Sequence, residues 1–272
     1  MILFFAGTEP KDYRDILIKK GVKSMLQSFY SLGCGKGEPA NNEVKNFLLD
    51  SGGYSARVHG IDIDVKQYAH YLNKYNVKFA FNLDVLDLDT SIANQEYLIE
   101  NTDTYIMPVY HGNEWLDPKT KDLLDYYIEY FPYIALGGMA GKENSREDIN
   151  RFLNYVFKKT YGKTKIHGLG ITGKPKLQKY PFFTVDSTSW MSVSRFANSK
   201  VYSPEMAKVN ARKRHWKENI SNEIPYWLKL EKDITKLWEM RGIKWGPLDY
   251  DEFMTRRGSN IPTYKEWKEK HK

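Results

Sequence analysis

The chain alternates short apolar runs with longer amphipathic segments. Runs rich in Val, Ile, Leu, Phe and Tyr fall at Ile2–Ala6, Ser24–Phe29, Phe47–Asp50, Phe79–Leu83, Tyr105–Tyr110, Tyr133–Leu136, Lys165–Leu169 and Phe182–Val185. Their length and aromatic, β-branched content predict strands, several ending on Gly or Asp. Between them, Val65, Tyr68, Tyr71, Leu72 and Tyr75 recur at helical spacing within Asp64–Tyr75, as do Ile149, Phe152, Leu153 and Val156 within Ser145–Lys159. Ser145 with Asp148 predicts a capping box at the start of the second of these helices. Strand and helix alternating this often imply parallel strands joined by right-handed crossovers. About eight strands in ~200 residues favour a closed (β/α)8 barrel, the TIM barrel, over an open sheet.

After Arg195 the pattern changes. Arg212-Lys213-Arg214-His215-Trp216-Lys217 is a basic cluster. Pro225 then stands where a first helical position would be, Trp227, Leu230, Ile234, Leu237 and Trp238 follow at i, i+3, i+7, i+10 and i+11, and Gly242 lies just past the end. This predicts one amphipathic helix packed on the barrel with Lys229, Lys232 and Lys236 outward and both tryptophans in the packing rather than under bases. The expected division is a catalytic barrel over residues 1–195 and a basic, Trp-rich helical extension over 196–272. Neither an internal repeat nor a low-complexity segment is visible.

Composition narrows the class. The 272 residues are 41% hydrophobic and 28% charged, the balance of a folded globular chain. No stretch approaches the ~18 apolar residues of a membrane span, so no membrane partner is expected. Met1–Gly7 carries no basic leader and reads as a first strand, so the expected location is cytoplasmic, or the host cytoplasm for a viral protein. Cys34 stands alone, which excludes an intrachain disulfide and a multi-cysteine zinc site. The net charge of +7 is localised: residues 195–272 hold 18 Lys/Arg against 11 Asp/Glu, whereas residues 1–194 hold 23 of each. Five of the seven tryptophans lie in the same basic stretch. Basic charge mixed with aromatics suits a polyanion with stackable bases; the competing reading is a solvated helical surface.

In a (β/α)8 barrel the chemistry sits at the C-terminal ends of the strands. There the runs are followed by Asp50-Ser51-Gly52-Gly53-Tyr54, by Asp84, by His111-Gly112-Asn113, by Gly137-Gly138-Met139-Ala140-Gly141, by His167-Gly168-Leu169-Gly170 and by Asp186-Ser187-Thr188. Singly, each has an ordinary explanation. An Asp after a strand is usually a cap or turn residue, a Gly pair a tight turn, and a strand-end His a structural hydrogen-bonding group. Neither glycine pair has a phosphate-loop spacing, and no zinc motif is present. The Asp84, Asp87, Asp89 trio has the ligand types for Mg2+, but acids alternating with Leu more often separate a buried from a solvated face. The signal is that all six groups occupy the same relative position.

These motifs, in this order, resemble those of the tRNA-guanine transglycosylase superfamily over roughly residues 45–195. The chain is most similar to the short, zinc-free DNA 7-deazaguanine transglycosylases of bacteriophages and bacterial DNA-modification clusters, relatives of the queuosine-type base-exchange enzymes. The resemblance implies Asp186 as nucleophile and Asp50 as general acid/base. It implies Tyr54 as the aromatic stacked on the base, Asp84 as the acid reading the guanine edge, and Gly137, Gly138 and Met139 as backbone contacts to the base. His111 falls where the tRNA enzymes usually carry glutamine, and His167 where they usually carry methionine over the base. The zinc module that follows the nucleophile in the tRNA enzymes is replaced by the basic tail. That departure turns the expectation from tRNA to DNA, with Arg195, Arg212, Lys213, Arg214 and Lys217 as candidate phosphate contacts. A free 7-deazaguanine base, such as the 7-cyano or 7-aminomethyl derivative, is the implied second substrate, with no metal and no organic cofactor. A second copy of the chain, as a homodimer, stands among the candidate partners.

The chemistry agrees with the residue types. Exchanging a base with retention at C1′ needs two displacements, hence a nucleophile that can leave again, as a carboxylate can. Guanine leaves poorly as an anion, so a second carboxyl must protonate it. Its N1–H and 2-amino groups are donors suited to an aspartate acceptor, and backbone N–H groups suit O6. A base inside a duplex must first be flipped out. Rival readings are the same chemistry on tRNA, a catalytically silent nucleic-acid-binding subunit, and an unrelated barrel glycosidase. The presence of both Asp50 and Asp186 counts against silence, and the lack of paired strand-end Glu residues counts against a glycosidase.

Overall fold

In the computed structural model the described residues are 1–192 and 216–271, apart from Leu86, Asn113, Trp115, Leu116, Pro118, Lys119, Lys121 and 140–144. The apolar runs become strands within two residues of where the pattern puts them: β1 (Ile2–Ala6), β2 (Ser24–Ser28), β3 (Asn46–Asp50), β4 (Phe79–Phe81), β5 (Tyr105–Met107), β6 (Val109–His111), β7 (Tyr133–Gly137), β8 (Lys165–Gly168) and β9 (Thr184–Ser187). Eight runs give nine strands because Pro108 splits the fifth. Proline has no N–H for the ladder, though its carbonyl still accepts from Ala135 N at 2.9 Å. All pairings are parallel, in the order β5-β4-β3-β2-β1-β9-β8-β7-β6. Both ends of that order lie on the single segment 105–111, which pairs with β4 through β5 and with β7 through β6, so the sheet curls into an α/β barrel.

The helices between strands are α1 (Lys11–Lys19), α2 (Gly53–Val58), α3 (Val65–Lys74), α4 (Leu88–Asn101), α5 (Leu123–Tyr130), α6 (Arg146–Thr160) and α7 (Lys174–Lys179). The predicted starts of two of them are present as caps: Asp64 accepts from Lys66 N at 2.8 Å, and Ser145 from Asp148 N at 3.0 Å. Along each strand one set of side chains enters the barrel, among them Phe4, Leu26, Leu48, Phe81, Met107 and Tyr133, and the alternate set faces the helices. The two-residue period therefore aims Asp50, beyond inward Leu48, and His111, beyond inward Val109, at the barrel axis on the C-terminal face.

Among the described residues, three α-helices follow the barrel strands: α8 (Trp216–Met240), α9 (Tyr250–Arg257) and α10 (Tyr264–Lys270). The sequence predicts a helix beginning at Pro225; the structure corrects this, since α8 already runs from Trp216 and Pro225 lies inside it. An internal proline costs about 3 kcal/mol. Ile220, Ile224, Trp227, Leu230, Ile234 and Trp238 are all buried on one stripe that continues across Pro225, at about 1.5–3 kcal/mol each, so packing outweighs the break. Lys229, Lys232 and Lys236 face outward as expected. α8 lies against β1 between α1 and α7, the ring position of a helix following the last strand. Helix α9 closes the floor of the barrel. Its fully buried Phe253 lies 5.8 Å from Phe79, 5.7 Å from Tyr105 and 5.1 Å from Tyr133, ring centre to ring centre. Helix α10 packs on α5 through Trp267, whose indole N–H donates to Glu129 Oε2 at 2.8 Å. The C-terminal tryptophans thus serve packing: Trp227, Trp238 and Trp267 are buried, and Trp216 and Trp245 half-buried.

Candidate active site

Asp186 is presented by β9 and is 8% exposed. Its Oδ1 accepts from Gly170 N at 2.9 Å and lies 3.2 Å from His167 Nε2. Among the described residues nothing is hydrogen-bonded to Oδ2, which leaves one carboxylate oxygen anchored and the other open. His167 is fully buried, with Phe81 at 4.9 Å and Phe4 at 6.3 Å between ring centres. Its Nδ1 lies 2.6 Å from Thr184 Oγ1, which is hydrogen-bonded in turn to the Tyr133 hydroxyl. The structure places His167 beneath Asp186, in the barrel core, rather than on the wall of a base pocket.

Asp50 ends β3 opposite Ser28 of β2, and its backbone carbonyl accepts from Phe29 N at 2.8 Å. Burial pushes its carboxyl up to about 7; the charges of Asp84, Asp186 and Glu9 act in the same direction, against a hydrogen bond from the Gly52 backbone. An acid still protonated near neutrality thus stands within electrostatic reach of Asp186. Glu9, in the turn after β1, is held there by Ser28 N, which donates to its Oε1 at 2.9 Å.

Asp84 and His111 meet with Oδ2 and Nε2 at 2.7 Å. Burial works against the imidazolium, yet the Asp84 hydrogen bond and charge, with Glu114, outweigh it and raise His111 above its ordinary value. Glu114 accepts from His111 N at 2.7 Å, and burial pushes its carboxyl up to about 7. Two glycines permit this assembly. A side chain on Gly53 would lie 2.7 Å from the Asp84 carbonyl, and one on Gly137 2.8 Å from the His111 ring. The two glycine motifs therefore let their loops close on the Asp84–His111 pair. Gly138, with φ of 70°, is exposed, while Met139 sends its side chain into the core between barrel and helices, leaving only backbone for a ligand. Tyr54 is 72% exposed on α2, with the Arg57 guanidinium 5.4 Å from its ring centre.

The remaining candidates are more dispersed. Asp87 is the N-cap of α4, accepting from Thr90 N at 2.8 Å, so it is not a partner of Asp84. Among the described residues no three His, Cys, Asp or Glu side chains are grouped to hold a metal ion. Lys217 is exposed at the start of α8 and paired with Asp12 at 2.8 Å. Arg195, Arg212, Lys213 and Arg214 lie outside the described residues. Sequence reasoning missed Glu114, Glu9, Thr184 and Tyr133, and it placed Gly170 in a strand-end motif without giving it the bond to Asp186. Thr184 and Tyr133 carried a signal, as polar groups at inward positions of strands flanking His167; Glu114 and Glu9, on connecting loops, carried none.

No family model matches the chain. A protein of Sulfolobus islandicus rod-shaped virus 1, described as "Uncharacterized protein 306", is 26% identical to it over 163 residues, 57% of this chain and 50% of the viral protein. The chain thus spans about half the length of the curated relative it matches. Among the described residues no helix is long and apolar enough to cross a membrane.

Proposed function

We propose that this chain is a base-exchanging transglycosylase that removes guanine from DNA and installs a 7-deazaguanine base. The observation that carries the reading is the division of labour between two carboxyl groups on one barrel rim: Asp186 with one oxygen anchored and one open, and Asp50 with its proton held up to about 7. Such a separation is what assigns nucleophile and acid in two-carboxylate glycosyl chemistry.

In the first step Asp186 Oδ2 attacks C1′. The C1′–N9 electron pair passes to guanine, and Asp50 gives its proton to the departing base. In the second, the Asp50 carboxylate takes a proton from the incoming base, whose N9 attacks C1′ and returns the ester electron pair to Asp186. Asp84 and the Gly138–Met139 backbone are the proposed readers of the purine edge, and Tyr54 the lid on its face. DNA and a free 7-cyano- or 7-aminomethyl-7-deazaguanine are the proposed substrates, in a host cell if the protein is viral like its relative. The test is incubation with radiolabelled guanine and, separately, DNA and tRNA. Label incorporated into DNA supports the reading, label in tRNA alone moves the substrate to RNA, and label in neither removes the activity.

A further inference from the structure

Asp186, His167, Thr184 and Tyr133 form one hydrogen-bonded column from the catalytic face into the barrel core, and the proton positions along it follow from its buried end. Tyr133 is fully buried, and burial pushes its phenol well up, so the hydroxyl keeps its proton. Among the described residues that hydroxyl has one hydrogen-bond partner, Thr184 Oγ1, to which it must donate. Thr184 is also fully buried, and among the described residues the only group left for its own proton is His167 Nδ1 at 2.6 Å. Nδ1 is therefore an acceptor. The ring proton sits on Nε2, which donates to Asp186 Oδ1 at 3.2 Å beside the Gly170 N–H. Each proton in the column is then used once; in the reverse direction the phenol or the threonine proton is buried with no acceptor.

We propose that Tyr133 and Thr184 are positioning residues: they lock His167 as the neutral Nε2–H tautomer and thereby fix which oxygen of Asp186 attacks. The catalytic consequence rests on the transglycosylase reading; the lock itself does not. Oδ1, held by two donors, becomes the carbonyl oxygen of the glycosyl ester, and Oδ2 forms the bond to C1′. When the second base displaces the ester, the C1′–Oδ2 electron pair returns to a carboxylate whose two donors are already in place. A neutral donor suits both halves, since an imidazolium would hold the carboxylate charge too tightly for it to attack, or protonate it.

The test is nitrogen-15 NMR of the full chain with labelled histidine, in mildly alkaline buffer, with His167 assigned by its loss in His167→Gln. The expected result is a neutral Nε2–H ring in the wild type. Thr184→Ser should keep it. Tyr133→Phe removes the donor that turns the threonine proton toward Nδ1 but leaves that proton no better acceptor, so the Nε2–H form should persist with a weaker hydrogen bond at Nδ1, read as a shifted Nδ1 resonance. Thr184→Val leaves Nδ1 with no donor and should lose the single tautomer. In exchange assays Tyr133→Phe and Thr184→Val should lose about tenfold or more in kcat with KM for DNA little changed, and Thr184→Ser should restore the rate. A wild-type ring found as Nδ1–H or doubly protonated overturns the proposal, as does an Nδ1 resonance indifferent to both Tyr133→Phe and Thr184→Val. Should Thr184→Val fail to fold, Tyr133→Phe with Thr184→Val together leaves no buried phenol unpaired and carries the same readout. If no nucleic acid supports exchange, the transglycosylase reading fails while the NMR result still decides the lock.

Discussion

His111 Nε2 and Asp84 Oδ2 are 2.7 Å apart, so one of the two oxygens with which Asp84 would read guanine is engaged before any base arrives. The imidazole lies over Gly137, where a side chain would be 2.8 Å from the ring. His111 thus links the Asp84 carboxylate to the glycine motif on the neighbouring strand.

That link predicts how His111 tolerates substitution. Glutamine supplies a neutral donor of similar reach, so His111→Gln should hold KM for guanine within about threefold. Leucine leaves Asp84 half-buried with no donor, and His111→Leu should raise KM about tenfold or more. The His111 value is raised, so the charged pair is present at low pH and lost as pH rises through that value. The wild-type KM should carry this pH dependence and the glutamine variant should not. Measuring KM for labelled guanine across pH checks both; equal KM values for the two variants would remove His111 from base binding.

A second prediction concerns the two carboxyl groups. Asp186→Asn should abolish exchange while circular dichroism stays unchanged, and wild-type enzyme given DNA without free base should accumulate an adduct on Asp186 detectable by mass spectrometry. Asp50→Asn should block release of guanine. Because nucleophile and acid serve one step, the double variant should be little slower than either single one. Additive losses in log rate would separate their roles and count against the pairing.

Much of this site was legible in the sequence because strand period and barrel topology are both local rules. A polar residue two positions beyond an inward Leu48 or Val109 has to face the axis, which fixes Asp50 and His111. The column beneath Asp186 needed one more step, the register that sets His167 beside Thr184 and Ala135 beside His167. Glu114 and Glu9 lie on connecting segments whose course no period dictates. Pro225 misled because a proline marks a helix start only when the apolar stripe begins there, and here Ile220 and Ile224 carry it further back. Phe253 filling the floor is a contact across more than half of the chain, beyond any local pattern.

Asp50 also predicts a stability effect. Its folded value, about 7, is raised from 3.8, so folding costs most when the group is ionised. The sign is the reverse of a salt-bridged carboxylate: the penalty is absent below about pH 4, grows as pH rises toward 7 and is full above it. Asp50→Asn should therefore leave the melting temperature nearly unchanged at about pH 4 and raise it above about pH 7, where the stability gained is on the order of 2–4 kcal/mol. Thermal unfolding at the two ends of that range is the measurement. A destabilised variant at alkaline pH would mean that Asp50 is neither buried nor crowded by Asp84 and Asp186 in solution.

The floor of the barrel makes a separate prediction. Phe253 is fully buried among Phe79, Tyr105, Tyr133 and Phe183, all at or beside the N-terminal ends of their strands. Phe253→Ala should cost about 3–5 kcal/mol, the range for a large aromatic removed from a core that cannot collapse. Phe253→Leu should cost less. Urea unfolding midpoints report this directly, and a loss under 1 kcal/mol would show that α9 is not the floor in solution.

The last prediction separates the polymer contacts within the basic cluster. Lys217 is already paired with Asp12 at 2.8 Å, and both side chains are exposed, so it brings little uncompensated charge to a phosphate. Lys217→Ala should change DNA affinity about twofold at most, and Asp12→Ala, which frees the lysine, should strengthen binding slightly. If Arg212, Lys213 and Arg214 each hold a phosphate, changing all three to Ala should weaken binding to every sequence. It should flatten log affinity against log salt by about two to three units, since each contact adds ~0.7–0.9 to that slope. The rate at saturating DNA should hardly move, because none of these groups would reach C1′. Salt titrations of fluorescently labelled DNA hairpins, with matched RNA hairpins as competitors, decide the matter. The 2′-hydroxyl is the feature by which a pocket shaped for deoxyribose rejects RNA. An unchanged slope in the triple variant would move the polymer contact off this cluster, and preferential exchange in the RNA hairpin would move the substrate to RNA.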